Sequence, residues 1–188
     1  MITISRLSVL SLLLLACLYT ACVPAEKTPP PSFEAKNSTT DETELISRMS
    51  VWMVAEPKTQ AEIDQNKIVD YAIDQQLELE RTASGLFLQI IEEGNGPSPT
   101  PNSTVVTHYR GRLLDGSQFD SSYDRNQPLR LHLNQVIAGW QEGMKRLKPG
   151  GRAILLIPSQ LGYGTKGFAN AIPPNSVLRF DLELLQVQ

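Results

Sequence analysis

The chain has 188 residues, enough for one ordinary domain with a tether or an additional element. Its formal net charge of −3 and its isoelectric point near 5.4 provide no basic field, so nucleic acid is not expected as a partner. A hydrophobic content of 41% and a mean hydropathy of −0.18 are typical of a globular protein and argue against a polytopic membrane protein. Only the N-terminus has the composition to enter a bilayer.

The N-terminal segment, residues 1–22, is predicted to be a targeting signal. Arg6 provides a positive charge, and residues 7–16 form an apolar run that is shorter than the roughly 20 residues that a membrane-spanning helix needs. A run of this length is typical of the apolar core of a signal peptide. The motif Leu14-Leu15-Ala16-Cys17 resembles a bacterial lipobox, whose cysteine becomes the lipidated first residue of the mature chain. Tyr19-Thr20-Ala21-Cys22 is a second candidate, in which tyrosine replaces the usual leucine.

Because the chain contains 2 cysteines and both lie in this segment, no disulfide is expected in the folded part. Cleavage before Cys17 or Cys22 predicts a protein that is lipid-anchored to a bacterial membrane and faces the periplasm or the cell surface. Cleavage before Cys17 is favoured, whereas cleavage before Cys22 would place a polar linker directly after the lipid. The alternative is an uncleaved signal anchor in which both thiols have no role.

The next two segments are predicted to be a linker and a helical extension. Residues 23–40 are rich in proline, serine and threonine, a composition that cannot bury a core and that predicts a disordered spacer. In residues 41–83, Asp41 and Glu44 have the spacing of a capping box and precede an apolar helical stripe formed by Leu45, Ile46, Met49, Trp52 and Met53. Thr59 and Glu62 repeat this spacing before a second stripe, formed by Ile68, Val69, Ala72, Ile73 and Leu77. Docking of both stripes on the main domain is favoured over docking on a second copy of the chain.

From residue 84 onward the apolar pattern is that of strands. Segments 86–91, 104–112, 153–157 and 177–187 are predicted strands, and Leu129, Leu131 and Leu133 alternate with polar residues as in a sheet with one wet face. Between the strand that ends at Leu133 and the strand at 153–157, a helix is predicted from the spacing of Ile137, Trp140, Met144 and Leu147. Antiparallel strands with one short helix predict an α+β fold, in which a curved antiparallel β-sheet wraps the helix and leaves a slot between them.

The most informative residues form ordered motifs within residues 108–184. Aromatic and branched apolar residues recur beside glycines, with Asp120 among them, which suits a dry slot for a small apolar ring better than a hydrolytic site. The motifs are His108-Tyr109-Arg110-Gly111, Phe119-Asp120-Ser121-Ser122, Val136-Ile137-Ala138-Gly139-Trp140, Leu161-Gly162-Tyr163-Gly164, Ile172-Pro173-Pro174 and Phe180-Asp181-Leu182-Glu183-Leu184. This ordered set resembles the FKBP-type peptidyl-prolyl cis-trans isomerases, and the similarity covers residues 84–188.

The resemblance implies an isomerase that needs no cofactor and no metal. Its implied substrate-contacting residues are Tyr109, Phe119, Asp120, Val136, Ile137, Trp140, Tyr163, Ile172 and Phe180. In the family the tryptophan forms the floor of the pocket, while the tyrosine hydroxyl after the fourth strand and the isoleucine N–H face the ligand. Arg125 stands where a family arginine often pairs with the aspartate. Taken singly, Trp140 and Phe180 would be ordinary core aromatics, so the inference depends on the joint pattern.

Two departures from the family pattern affect specificity. Leu129 and Leu131 occupy a strand where the family often has phenylalanine, which makes one wall aliphatic and weakens expected macrolide binding more than catalysis. Phe168 and Ala171 replace common residues of the loop before Ile172 and are expected to shift the preference for the residue before proline.

The resemblance and the targeting signal together predict a membrane-tethered folding helper. Its partners would be proline-containing unfolded or exported polypeptides and, through an N-terminal lipid, a membrane. The alternative is a noncatalytic chaperone or binding module that uses the same slot. A form that begins at Ser84 is expected to retain isomerase activity.

Overall fold

The computed structural model describes residues 31–33 and 42–188, which belong to one compact unit, Pro31–Gln188. The predicted signal with Cys17 and Cys22, and most of the predicted spacer, lie outside the described residues. Within the described ranges, no helix has both the length and the apolar character needed to cross a bilayer.

Seven strands form one antiparallel sheet, as the α+β prediction requires. In chain order they are Glu80–Arg81 (β1), Phe87–Glu92 (β2), Thr104–Leu113 (β3), Gln118–Ser121 (β4), Leu129–His132 (β5), Arg152–Ile157 (β6) and Leu178–Val187 (β7). The spatial order is β1-β2-β6-β7-β3-β4. The long strand β3 pairs with β7 on one side and with β5 and then β4 on the other.

The front face of the sheet packs against helix α3, Ala138–Met144. Gly139 allows this helix to lie close to β6, since a Cβ added at that position would be 2.5 Å from Cγ2 of Ile157. The close approach buries Trp140 and Met144 in a cluster with strand residues Leu155, Leu178 and Phe180. We call these residues and their apolar neighbours Leu86, Leu88, Tyr109, Leu133, Leu147, Ile172 and Leu182 the front cluster.

The back face of the sheet is covered by helices α1, Glu42–Ser50, and α2, Gln60–Asp74. Their buried residues form a second cluster, the back cluster, composed of Phe33, Leu45, Met49, Ile68, Val69, Ala72, Leu77, Leu79, Phe87, Ile154, Leu156 and Val177. Alternate residues of β6 therefore enter different clusters, with Leu155 in front and Ile154 behind. Because both faces are covered, this strand is a continuous apolar run rather than an alternating one.

The structure corrects the predicted apolar stripe of the first helix. Helix α1 ends at Ser50, because the N–H groups of Trp52 and Met53 donate to carbonyls only three residues back and tighten the chain into a turn. Ile46 and Met53 are 40% and 42% exposed, so they do not belong to the buried stripe. The second capping box is present, since Thr59 and Glu62 bond each other's backbone N–H at the start of α2.

The prediction that all of residues 23–40 form a disordered spacer is wrong at Phe33. This ring is only 9% exposed in the back cluster, and the guanidinium of Arg152 lies 5.9 Å from its centroid. Arg179 donates to the Phe33 carbonyl at 3.3 Å. A single aromatic residue of a polar segment is therefore buried against the apolar back face of the sheet. Strand β1 also lies before residue 84 and pairs with β2, so the sheet extends into the segment predicted as a helical extension.

Candidate active site

Four aromatic rings from four elements meet on the front face. The Trp140 ring on α3 makes edge contacts with Tyr109 of β3 and with Phe180 of β7, both with centroids 5.1 Å apart. Phe119 of β4 meets Phe180 at 5.5 Å. Tyr109, Trp140 and Phe180 are each only 4% exposed, and among the described residues the indole N–H has no hydrogen-bond partner. The predicted aromatic residues are thus brought together in one place.

Asp120, Tyr109 and Arg125 form a closed set of hydrogen bonds at the edge of these rings. The Tyr109 hydroxyl donates to Oδ2 of Asp120, and Arg125 donates to Oδ1 of the same carboxylate. Arg125 also donates to the Tyr109 hydroxyl oxygen at 2.9 Å. The predicted pairing of arginine and aspartate is therefore present, and both carboxylate oxygens already accept a bond.

The electrostatics of this set keep each group in a single ionisation state at neutral pH. Burial, and then the hydrogen bond to Asp120, raise the pKa of Tyr109 to about 12. Partial burial works to raise the pKa of Asp120, but the hydrogen bonds from Tyr109 and Arg125 outweigh it and hold that pKa below the usual 3.8. The hydroxyl is therefore neutral and the carboxylate charged throughout the physiological range.

Ser122 is a supporting residue that the sequence did not single out for this role. Its hydroxyl accepts from the Tyr109 N–H at 2.8 Å and donates to the Tyr109 carbonyl at 3.2 Å. His108 Nδ1 lies 2.8 Å from the same hydroxyl, and its ring stacks on Tyr123 at 4.7 Å. Ser122 is fully buried, so it fixes the backbone of Tyr109 instead of meeting a ligand. The motif supplied no signal, because serine after an aspartate is also common in turns.

Gly111 explains why the histidine-tyrosine motif ends in glycine. A Cβ at this position would lie 2.6 Å from Cζ of Phe119 and 2.9 Å from Cε1 of Phe180. The absence of a side chain lets these two rings approach β3 and form one wall of the aromatic group.

The start of α3 holds the predicted valine-isoleucine pair. Ile137 is the N-cap residue of α3 and receives no side-chain cap, while the Gln141 side chain donates to the Val136 carbonyl at 2.7 Å. Val136 and Ile137 are half-buried and pack against the front cluster. The pair therefore lies one helical turn before Trp140, at the border of the aromatic rings.

The loop after β6 brings Tyr163 to the same region. Burial, followed by the charge of Asp120, raises the pKa of the Tyr163 hydroxyl. The ring stacks on Phe168 at 4.8 Å, and Phe168 is 55% exposed. Phe168 and Ile172 exchange backbone hydrogen bonds of 2.8 and 3.0 Å, which close the loop and leave Ile172 buried. An exposed aromatic beside a half-buried tyrosine provides apolar surface at the border of the site.

Leu129 and Leu131 lie on β5, opposite Thr107 and Val105 of β3. Both are half-buried and pack against the front cluster with aliphatic side chains. Among the described residues, no group of three or more potential metal ligands is present. The arrangement can bind an apolar ring and hold polar groups at its edge, and nothing in it requires a proton transfer.

Comparison with known proteins relates this site to one family. The sequence model of the family described as "FKBP-type peptidyl-prolyl cis-trans isomerase" matches residues 96–185. The curated FKBP-type peptidyl-prolyl cis-trans isomerase FkpA of Escherichia coli K12 is 49% identical over 107 residues, which are 57% of this chain and 39% of the relative. The peptidyl-prolyl cis-trans isomerase Mip of Coxiella burnetii is 44% identical over 56% of this chain and 46% of its own length. The matches thus span less than half the length of these curated relatives.

A solved structure extends the similarity beyond the isomerase segment. The crystal structure of FkpA from Escherichia coli is 34% identical with a TM-score of 0.57, and the match covers 79% of this chain and 83% of that chain. A match that covers 79% of the chain must reach beyond the 90 residues between 96 and 185. It therefore includes residues outside the segment that the family model describes.

Proposed function

The chain belongs to the FKBP-type peptidyl-prolyl cis-trans isomerase family, and we propose that it accelerates cis–trans isomerisation of Xaa–Pro bonds at the aromatic site. The observation that carries this proposal is the enclosed group of rings with a fixed polar edge. Tyr109 contributes to both parts, because its ring meets Trp140 and its hydroxyl is held by Asp120.

The chemistry to be catalysed is rotation about a single amide bond. Amide resonance gives a barrier of about 18–20 kcal/mol, and unaided Xaa–Pro isomerisation takes roughly tens to hundreds of seconds. In the twisted transition state the amide has lost resonance and its carbonyl is less polar. Water stabilises the planar, charge-separated ground state best, so moving the amide among apolar rings lowers the barrier. No covalent bond to the protein forms and no proton is transferred.

The polar groups at the edge position the substrate. The hydroxyl of Tyr163 and the backbone N–H of Ile137 would donate to substrate carbonyls and hold the chain in a twisted arrangement, which is a positioning effect. Asp120 is already engaged by Tyr109 and Arg125 through both oxygens. Its role is therefore to orient these two residues, and it is not a general base.

The test is the isomerisation rate of a short proline peptide in the presence of a soluble form of the chain that begins at Pro24. We expect clear acceleration over the uncatalysed rate. Asp120→Ala should lower kcat/KM about tenfold, because it frees both Tyr109 and Arg125. Glu80→Ala is the matched control, since it removes an ion pair with Arg146 of 2.8 Å outside the aromatic site. If folded protein gives no acceleration, the noncatalytic chaperone or binding function replaces this proposal.

We also propose that the protein acts outside the cytoplasm, on unfolded or exported polypeptides, while tethered to a bacterial membrane. Support comes from the apolar run at residues 7–16 and from the lipobox-like motifs that end in Cys17 and Cys22. Mass spectrometry of intact protein extracted from membranes should show a lipidated cysteine as the first residue. A chain that retains an unmodified Met1 contradicts the tether.

Macrolide binding is proposed to be weak. Leu129 and Leu131 pack against the front cluster as an aliphatic wall, and an aromatic ring provides more contact surface to a large apolar ligand. Titration of the wild type and of Leu131→Phe with a macrolide should show tighter binding to the variant. Equal affinities would show that this wall does not contact the ligand.

A further inference from the structure

Asp64 is a fully buried carboxylate on helix α2 that the proposed chemistry does not use. Oδ1 accepts from the Gln60 side chain at 2.7 Å, one helical turn earlier. Oδ2 accepts from the backbone N–H of Ser159 at 2.8 Å, which lies 95 residues further along the chain. A buried carboxylate is costly unless it is hydrogen-bonded. Asp64, the buried acid of α2, obtains one of its two hydrogen bonds from a distant loop.

The loop that Asp64 reaches cannot cap itself. Residues Ser159–Leu161 form a 3₁₀ turn directly after β6, and the preceding residue is Pro158, which provides no side-chain cap. The first N–H groups of such a turn have no partner within it. Ser159 is 2% exposed, so water is not available in place of the carboxylate. Asp64 supplies the missing cap from another element.

The same turn leads directly into the proposed active site. Leu161 and Tyr163 both pack against the front cluster, and the Gly162 N–H bonds the Ser159 carbonyl at 3.0 Å. Asp64 therefore binds the first residue of the turn, and Tyr163, which follows the turn, packs against the front cluster. Only Gln160, Leu161 and Gly162 separate Ser159 from Tyr163, so the position of Ser159 constrains where the Tyr163 backbone can lie.

We propose that Asp64 is a positioning residue for Tyr163, through which the N-terminal helix α2 sets the geometry of the isomerase site. The proposal rests on the proposed function for its effect on rate. It assigns a contribution to the helical extension beyond covering the back of the sheet.

The experiment compares three variants of the chain from Pro24 onward, which keeps every described residue. Asp64→Leu removes the acceptor, whereas Asp64→Asn retains an oxygen for the Ser159 N–H. Glu62→Ala is the matched control, because it removes the capping box of the same helix without a bond to the turn. We expect Asp64→Leu to lower kcat/KM about tenfold, a loss of the size of one orienting hydrogen bond. Asp64→Asn and Glu62→Ala should stay within about twofold.

Measuring the effect of Asp64→Leu both in the wild type and in the Tyr163→Phe variant distinguishes a positioning role from a purely structural one. If Asp64 acts through the Tyr163 hydroxyl, Asp64→Leu should lower kcat/KM less than about twofold in that background. An equal tenfold loss in both backgrounds, or a folded Asp64→Leu variant with normal kcat/KM, overturns the proposal. If Asp64→Leu does not fold, Asp64→Ser carries the same comparison, because it shortens the side chain and leaves room for water.

A second readout does not depend on activity. In protein labelled with 3-fluorotyrosine, the fluorine resonance of Tyr163 is identified by its loss in Tyr163→Phe. We expect this resonance to shift in Asp64→Leu and to stay in place in Glu62→Ala. An unmoved resonance in Asp64→Leu contradicts the inference even if the wild type is inactive. An inactive wild type with a shifted resonance contradicts the proposed function alone.

Discussion

Removing residues 1–83 exposes the back face of the sheet, and the structure predicts a large loss of stability. Phe87, Ile154, Leu156 and Val177 are each at most 4% exposed in the back cluster. The neighbours that cover them come mainly from α1, α2 and Phe33. Arg179 would also lose the Tyr71 hydroxyl at 3.0 Å and the Phe33 carbonyl.

The size of the loss follows from the exposed apolar surface. Complete burial of a side chain of this kind contributes about 1.5–3 kcal/mol to the free energy of unfolding. Since these residues keep their neighbours within the sheet, about half of each side chain becomes exposed, and the total is about 3–6 kcal/mol. Domains have free energies of unfolding of about 5–15 kcal/mol. The truncated form therefore loses a large part of its stability. The sequence alone predicts that a form that begins at Ser84 is active, whereas the structure predicts that this form is only marginally folded.

Urea denaturation followed by tryptophan fluorescence measures this difference, with Trp140 as the reporter in every form and Trp52→Phe introduced into the form that begins at Pro24 so that Trp140 is its sole tryptophan. With a slope of about 2 kcal/mol per M, the midpoint of the form that begins at Ser84 should fall by about 1.5–3 M relative to the form that begins at Pro24. A form that begins at Thr59 is the control, because it keeps α2 and β1 and loses α1, Phe33 and Trp52 from the back of the sheet. Its midpoint should lie between the other two. Equal midpoints for the longest and shortest forms would refute the reasoning.

Two further perturbations address the site itself. Gly111→Ala should reduce the free energy of unfolding by about 1–3 kcal/mol through overpacking. It should also lower kcat/KM, because the added Cβ displaces the rings of Phe119 and Phe180. Ile68→Val in the back cluster is the control, and it should reduce the free energy of unfolding by about 0.5–1.5 kcal/mol with unchanged kcat/KM. The third prediction concerns pH. The depressed pKa of Asp120 keeps its carboxylate charged at every pH above the usual pKa of 3.8, and Tyr109, whose pKa is raised to about 12, stays neutral through the physiological range. The kcat/KM should therefore be constant from about pH 5 to 9, with the stability from Asp120 lost only as pH falls through its folded pKa. A titration midpoint near neutrality would contradict this.

The sequence predicted the front of the molecule well because each motif there is local. The tyrosine, phenylalanine-aspartate and tryptophan motifs each lie within one strand or helix, so their order along the chain carried most of the information. The pairing of Arg125 with Asp120 also spans only five residues. These local patterns place their side chains on one face, and the strand pairings of β3 then bring the faces together.

The back of the molecule was harder to predict because its contacts join distant residues of ordinary type. Phe33 is one aromatic residue in a polar segment, and no local pattern indicates that it meets Arg152 and Arg179. Trp52 was placed in a helical stripe by its spacing, yet it follows the helix and meets the Phe87 ring at 6.5 Å.

Asp64 shows the same limit with a consequence for function. An acidic residue on a helix is ordinarily expected to be exposed, and the burial of Asp64 depends on an N–H group 95 residues away. Its significance appears only when the turn that begins at Ser159 is traced to Tyr163. The proline before that turn makes an external acceptor necessary, and α2 is the element close enough to supply one. The helical extension therefore reaches the turn that leads to Tyr163, and Asp64 is the residue that joins the two.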